Sequence, residues 1–182
     1  QGVVTNRYKN LDRGWSVGAF IIADNFTYKY LNNHPRVMMR RGRYTNDPMI
    51  IAQQDNMVSI NAALQIDLTG QVCAESIGPY QHSGTGGATD FAWGAYHSKG
   101  GRAILAQTST TKKGTLSRIV PILDPGAVVS VSRNLTDMVV TEYGVAKLRQ
   151  RTVGQRVENL IAVAHPDFRA ELRKAAAKYM YY

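Results

Sequence analysis

Short apolar runs rich in β-branched residues, each stopped by Gly, Pro, Asn or Asp, alternate along this chain with longer segments of helical periodicity. That alternation narrows the available folds more than any other feature. WSVGAFI, PMIIA, NMVSI, QVCAESI, AILAQ, RIVPIL, AVVSVS and DMVVT read as strands. DNFTYKYLNN reads as a helix, with Asp24 placed to cap it and Phe26, Tyr30 and Leu31 on one face. Val157, Leu160, Ile161 and Ala164 follow helical spacing. The last helix starts at His165-Pro166, since Pro fits a first turn. It turns Phe168, Leu172, Ala175, Ala176 and Tyr179 inward, and Arg169, Arg173, Lys174 and Lys178 outward. No repeat, low-complexity tract or linker divides the chain. The expectation is one α/β domain over residues 1–182, an open layered sheet with flanking helices.

Composition supports that reading and limits the partners. At 182 residues, with 44% apolar and 19% charged side chains, the chain has the material for a substantial core. Runs such as GAFIIA and GAVVSV are too short to cross a bilayer, so no membrane partner and a cytoplasmic location are expected. The single cysteine, Cys73, excludes an internal disulfide and reads as a buried, inert thiol. The net charge of +9 is spread out, densest at Arg40, Arg41 and Arg43 and at Lys112, Lys113 and Arg118. Without a zinc-finger or RRM signature this reads as a solvated basic surface or a site for a small polyphosphate, with no nucleic acid. His34, His82, His97 and His165 lack ligand-like spacing, so no metal is expected.

SGTGGATDF, residues 83–91, is the segment that points to chemistry. Glycine loses the most freedom on folding, so Gly84, Gly86 and Gly87 together imply a special turn or a close approach to the backbone. Thr89 or Asp90 can cap a helix beginning at Phe91, which puts the glycines just before a helix N-terminus, where unpaired N–H groups favour negative charge. No Gly-Lys-Ser/Thr follows, and the third glycine of a dinucleotide fingerprint is misplaced. Ser83 lacks the frame of a nucleophile elbow. From these residues alone, a plain turn and an oxyanion site both remain open.

YTNDPMIIAQQDNMVSINAALQIDLTGQVCAESIG, SGTGGATDF, GTLSRIVP, VVTEYGVAKL and LIAVAHPDFR, in that order, resemble the C-terminal domain of the acetyl-CoA hydrolase/transferase family of class I CoA-transferases. The resemblance spans nearly the whole chain. It implies a NagB/RpiA-like layered fold and an acyl-CoA:carboxylate CoA-transferase working through a glutamyl-CoA thioester. Coenzyme A enters as acyl-CoA substrate, a small carboxylate is the second substrate, and a homo-oligomer is implied through the full-length chain. An acyl-CoA hydrolase, or a non-catalytic basic module binding CoA or nucleic acid, is the alternative.

By match, Gly87 falls at the oxyanion donor and Gly86 shapes the turn; Gly84, Gly86, Gly87 and Lys113 are the implied CoA-binding residues. Asn46 matches an asparagine near the reacting carboxylate, and Glu142 a glutamate that orients the active centre. Read without the family, Asn46 could simply start a turn before Asp-Pro, and Glu142 could cap a helix over YGVAKL. The attacking glutamate of the family lies upstream of the GVVTN block, so it is expected outside these 182 residues, and the chain alone is expected to be silent. Ala88, Gln65 and Arg43 stand where relatives commonly carry glutamine, glutamate and an acid, departures that bear on substrate preference.

Overall fold

The computed structural model describes residues 3–111 and 113–179; Lys112, in the second basic group, lies outside them. In chain order the elements are β1 (Ser16–Gly18), α1 (Asn25–Leu31), β2 (Val37–Met39), α2 (Gly42–Thr45), α3 (Pro48–Ala52), β3 (Val58–Asn61), β4 (Gln65–Asp67), β5 (Val72–Cys73), β6 (Ser76–Ile77), β7 (Tyr80–Gln81), α4 (Ala88–His97), β8 (Arg102–Ala106), β9 (Ile119–Val120), β10 (Met138–Thr141), β11 (Gly144–Lys147), α5 (Val153–Val163) and α6 (Pro166–Lys178).

The principal sheet has the order β11-β10-β8-β3. β3, β8 and β10 run parallel, while β11 returns antiparallel after the turn at Glu142 and Tyr143. α4 is the crossover from β3 to β8, so its N-terminus and the glycine loop lie at the carboxyl ends of the parallel strands. In open α/β sheets that edge is where ligands bind. Side chains alternate across the sheet as the pleat requires: Ser59, Ala103, Leu105, Val139 and Ala146 are buried, whereas Val58, Ile60 and Val145 on the other face are exposed.

A second sheet, β5-β4-β9, contributes Ile66, Val72 and Ile119 to the same core. α5 seals it with Val157, Leu160 and Ile161, and α6 adds Leu172 and Ala176. Each large aliphatic side chain fully buried here contributes about 1.5–3 kcal/mol. Thr152 and Gln155 form a reciprocal capping box at the start of α5, which fixes where that helix begins. Cys73 is buried, as its strand context implies.

Several expectations about local structure change. PMIIA is a helix, because Asp47 accepts from the Met49 N–H at 2.8 Å and Pro48 occupies the first helical position. AVVSVS forms no strand: Val131 makes a single bridge to Val72, and Val128 and Val129 are exposed. QVCAESI breaks into β5 and β6. YGVAKL is β11, so Glu142 caps no helix. α1 starts where expected, with Asp24 accepting from the Thr27 N–H, but Phe26 and Tyr30 are exposed. Helical spacing alone does not say whether a chain covers the face it defines.

Candidate active site

The glycine loop begins with two anchored amides, since the His82 and Ser83 N–H groups both donate to the Glu75 carbonyl, at 2.7 and 3.1 Å. Gly84 then runs through open space, and Gly86 takes φ +60°, the left-handed conformation that favours glycine. Gly87 has φ −106°, which any residue adopts, so its requirement is different. A Cβ built on Gly87 would land on Nδ2 of Asn46. The carboxamide therefore packs directly on the bare Cα.

Helix α4 begins at Ala88, three residues earlier than the capping pattern implies, with Gly87 as its N-cap and no side-chain cap. The Thr89 hydroxyl bonds instead to the Ser130 carbonyl. Among the described residues no side chain caps the first N–H groups of α4, and the helix dipole adds to their attraction for negative charge.

Asn46 reaches this place because α3 packs very closely on α4. A Cβ on Gly94 would strike the Ile51 side chain, so the absent side chain admits α3 to the helix surface. Asn46 ends α2, its N–H donating to the Gly42 and Tyr44 carbonyls, and Asp47 opens α3. A turn thus does form at Asn46, and it aims the side chain at Gly87.

Asn46 and Gly87 share a cleft of about 720 Å³ with Thr45, Asn61, Ile51 and Phe91. Lys9 and Asp12 line it as well, and Gln54 ties down the chain between them: Oε1 accepts from the Asn10 and Leu11 N–H groups at 2.8 and 3.4 Å, and Nε2 donates to the Leu11 carbonyl at 3.2 Å. The Tyr44 hydroxyl donates to Asp12 at 2.8 Å, joining two residues that line the cleft. Lys9, also on the cleft, donates to the Trp15 carbonyl; burial lowers its pKa, partly opposed by the Asp12 charge.

Glu142 stands apart from the walls of this cleft. It follows β10, at the carboxyl edge of the sheet, and is held by Ser109, whose Oγ donates to Oε1 at 2.7 Å and whose N–H donates to Oε2 at 2.8 Å. Partial desolvation pushes its pKa up. The Ser109 hydroxyl, the Glu142 and Ser109 backbone N–H groups and the nearby His165 outweigh that and hold it below the usual carboxylate value. Lys113 is exposed, in the turn closed by the Thr111 N–H donating to the Leu116 carbonyl, and does not line the cleft. Gly84 and Gly86 shape the loop without lining it. Thr45, Asn61 and Phe91 are lining residues that sequence reasoning did not single out for the site, although all three lie within the quoted motif segments, Thr45 directly before Asn46.

An open, largely parallel sheet with flanking helices, and a glycine loop with a carboxamide packed on it at the sheet's carboxyl edge, define a layered α/β domain. Residues 24–176 match the model of the acetyl-CoA hydrolase/transferase C-terminal domain, and the chain belongs to that family. It is 51% identical to the 4-hydroxybutyrate coenzyme A transferase of Clostridium kluyveri, over 94% of this chain and 40% of that protein. It is 49% identical to the succinyl-CoA:cyclohexane-1-carboxylate CoA transferase of Geobacter metallireducens, over 97% of this chain and 40% of that protein. Among solved structures, RipA from Yersinia pestis superposes with a TM-score of 0.93 at 50% identity, covering 100% of this chain and 41% of RipA. The 4-hydroxybutyrate CoA-transferase of Porphyromonas gingivalis gives 0.79 at 40% identity, covering 97% of this chain and 41% of that one. The chain spans about 40% of the length of these curated relatives.

Proposed function

We propose that this domain supplies the oxyanion-binding wall and part of the acyl-CoA pocket of an acyl-CoA:carboxylate CoA-transferase, with a glutamate nucleophile contributed by another part of the protein. The observation that carries the reading is the Asn46 amide packed on Gly87 at an uncapped helix N-terminus, on the wall of a cleft large enough for a substrate. The CoA-transferase names of the relatives supply the reaction class.

In that reaction the glutamate carboxylate attacks the thioester carbonyl, and collapse of the tetrahedral oxyanion expels CoA thiolate and leaves an acyl-glutamyl anhydride. The thiolate then attacks the glutamyl carbonyl, releasing the acyl group as a carboxylate and leaving a glutamyl-CoA thioester. A second carboxylate runs the same steps in reverse and departs as its CoA thioester. Every step passes through an oxyanion, for which the Gly87 N–H and the Asn46 Nδ2 are the donors. Such donors are typically worth about 10²–10³ in turnover each. Asn46 suits the task because an amide donates without bringing a full charge that would also stabilise the ground-state carboxylate. Gly84 and Gly86 give the loop the shape that leaves Gly87 bare.

Glu142, fixed as an anion by Ser109, orients groups at the same edge, and Lys113 is exposed and positioned to meet a CoA phosphate in solution. A cytoplasmic homo-oligomer acting on acyl-CoA and a small carboxylate, without nucleic acid or metal, completes the reading.

The test is kinetic, on the full-length enzyme that contains this domain. Gly87→Val is expected to lower kcat by at least about 10²-fold while CoA binding stays within a few-fold, since the donor is used in the transition state. A Gly87→Val enzyme with an unchanged turnover number sinks the oxyanion assignment. Release of free CoA at full rate without any acceptor carboxylate would mark a hydrolase instead.

A further inference from the structure

A carboxamide has two chemically opposite ends, Nδ2 donating and Oδ1 accepting, in nearly the same shape. Rotating the Asn46 amide by half a turn would therefore keep its packing on Gly87 but set an acceptor where negative charge develops. A hydrogen bond that holds the amide in one place and plane therefore bears on how the donor is presented. The side-chain partner in place is the residue immediately before it: Thr45 Oγ1 donates to Asn46 Oδ1 at 2.8 Å. Thr45 is the last residue of α2, Asn46 is its C-cap, and both line the cleft with Gly87. With Oδ1 occupied by Thr45, Nδ2 is the end that meets Gly87.

We propose that Thr45 is a positioning residue for the transfer reaction, its hydroxyl tethering the Asn46 amide in the place and plane from which Nδ2 serves the oxyanion beside Gly87. The inference rests on the reading of Asn46 and Gly87 as oxyanion donors. It accounts for a hydroxyl at a half-buried cleft position whose hydrogen bond spans adjacent residues and ties no elements together. Valine has the shape of threonine without the hydroxyl, so Thr45→Val leaves the walls in place and frees the amide to turn. Because the donor is used mainly in the transition state, the loss falls on kcat and not on KM.

The experiment is a double-mutant cycle in the full-length enzyme, with melting temperature measured for every variant. Thr45→Val is expected to lower kcat about tenfold with KM within twofold, a size set by the loss of one orienting hydrogen bond. Thr45→Ser, which keeps the hydroxyl, is expected to recover most of the rate. In an Asn46→Ala background, Thr45→Val should change kcat by less than about twofold, since there is no amide left to orient. An equal loss in both backgrounds, or a Thr45→Ser enzyme as slow as Thr45→Val, overturns the inference. Full turnover in Thr45→Val beside a slow Asn46→Ala overturns it while sparing the site. Full turnover in Asn46→Ala overturns the reading of the site and this inference together.

Discussion

The cleft joins two regions with very different packing. Among the described residues before Met57, Ile51 is the buried apolar side chain, and α1 and α2 bury none. From Ala63 to Ala176 the chain carries a continuous core of aliphatic residues drawn from both larger sheets and from α4, α5 and α6. Gly87 and the start of α4 belong to that body. Asn46 belongs to the lightly packed side, secured by hydrogen bonds and by the contact of Ile51 with Gly94. One half of the proposed oxyanion site is thus set by a hydrophobic core and the other by polar tethers.

The contrast breaks most readily at the core. Leu160→Ala is expected to destabilise this chain by about 2–5 kcal/mol, the usual range for truncating a fully buried leucine. Phe26→Ala, at a side chain 79% exposed, is expected to stay within about 0.5 kcal/mol. Urea denaturation of the two variants checks both, and equal losses would mean that the packing difference is not energetic.

A smaller effect should appear at the tether. Gln54→Ala removes the bonds that tie down Asn10 and Leu11, and a loss of about 1–2 kcal/mol is expected from their number and exposure. Hydrogen exchange should accelerate at the Asn10 and Leu11 amides while the amides of β8 and β10 keep their protection. Loss of protection in those strands as well would show that the two regions unfold as one.

The smallest effect belongs to Glu142, at the surface of the well-packed body. Its folded pKa lies below the unfolded one, so its contribution is fully present above the ordinary carboxylate range and is lost as pH falls through the folded value. Ser109→Ala removes the hydroxyl that helps depress it, and the Glu142 pKa is expected to rise towards the unfolded value, so that the low-pH loss of stability becomes smaller and is complete at higher pH. A carboxyl titration followed by NMR decides this; an unmoved midpoint would remove the Ser109 hydroxyl as a cause.

Much of the body was legible because its signals are local and redundant. Val157, Leu160 and Ile161 at helical spacing are all buried in α5, and Pro166 opens α6 as its φ preference requires. The same logic misread PMIIA, where apolar composition suits either state and the Asp47 cap with Pro48 decides for helix. It also misplaced the start of α4, because Thr89 looks like a cap but is engaged by the Ser130 carbonyl, a partner distant in sequence.

The sequence by itself determined the α/β class, the family and the candidate residues Gly87, Asn46 and Glu142, because periodicity, turn chemistry and ordered motifs are all properties of neighbours along a chain. Only the tertiary structure decided that Asn46 and Gly87 touch while Glu142 and Lys113 stand elsewhere. It also decided that Gly87 is bare for the sake of space and Gly86 for the sake of φ. Two glycines side by side look identical in a sequence. The difference between them lies in what packs against each, and for Gly87 that neighbour is Asn46, brought in from the turn between α2 and α3 by the fit of Ile51 against Gly94.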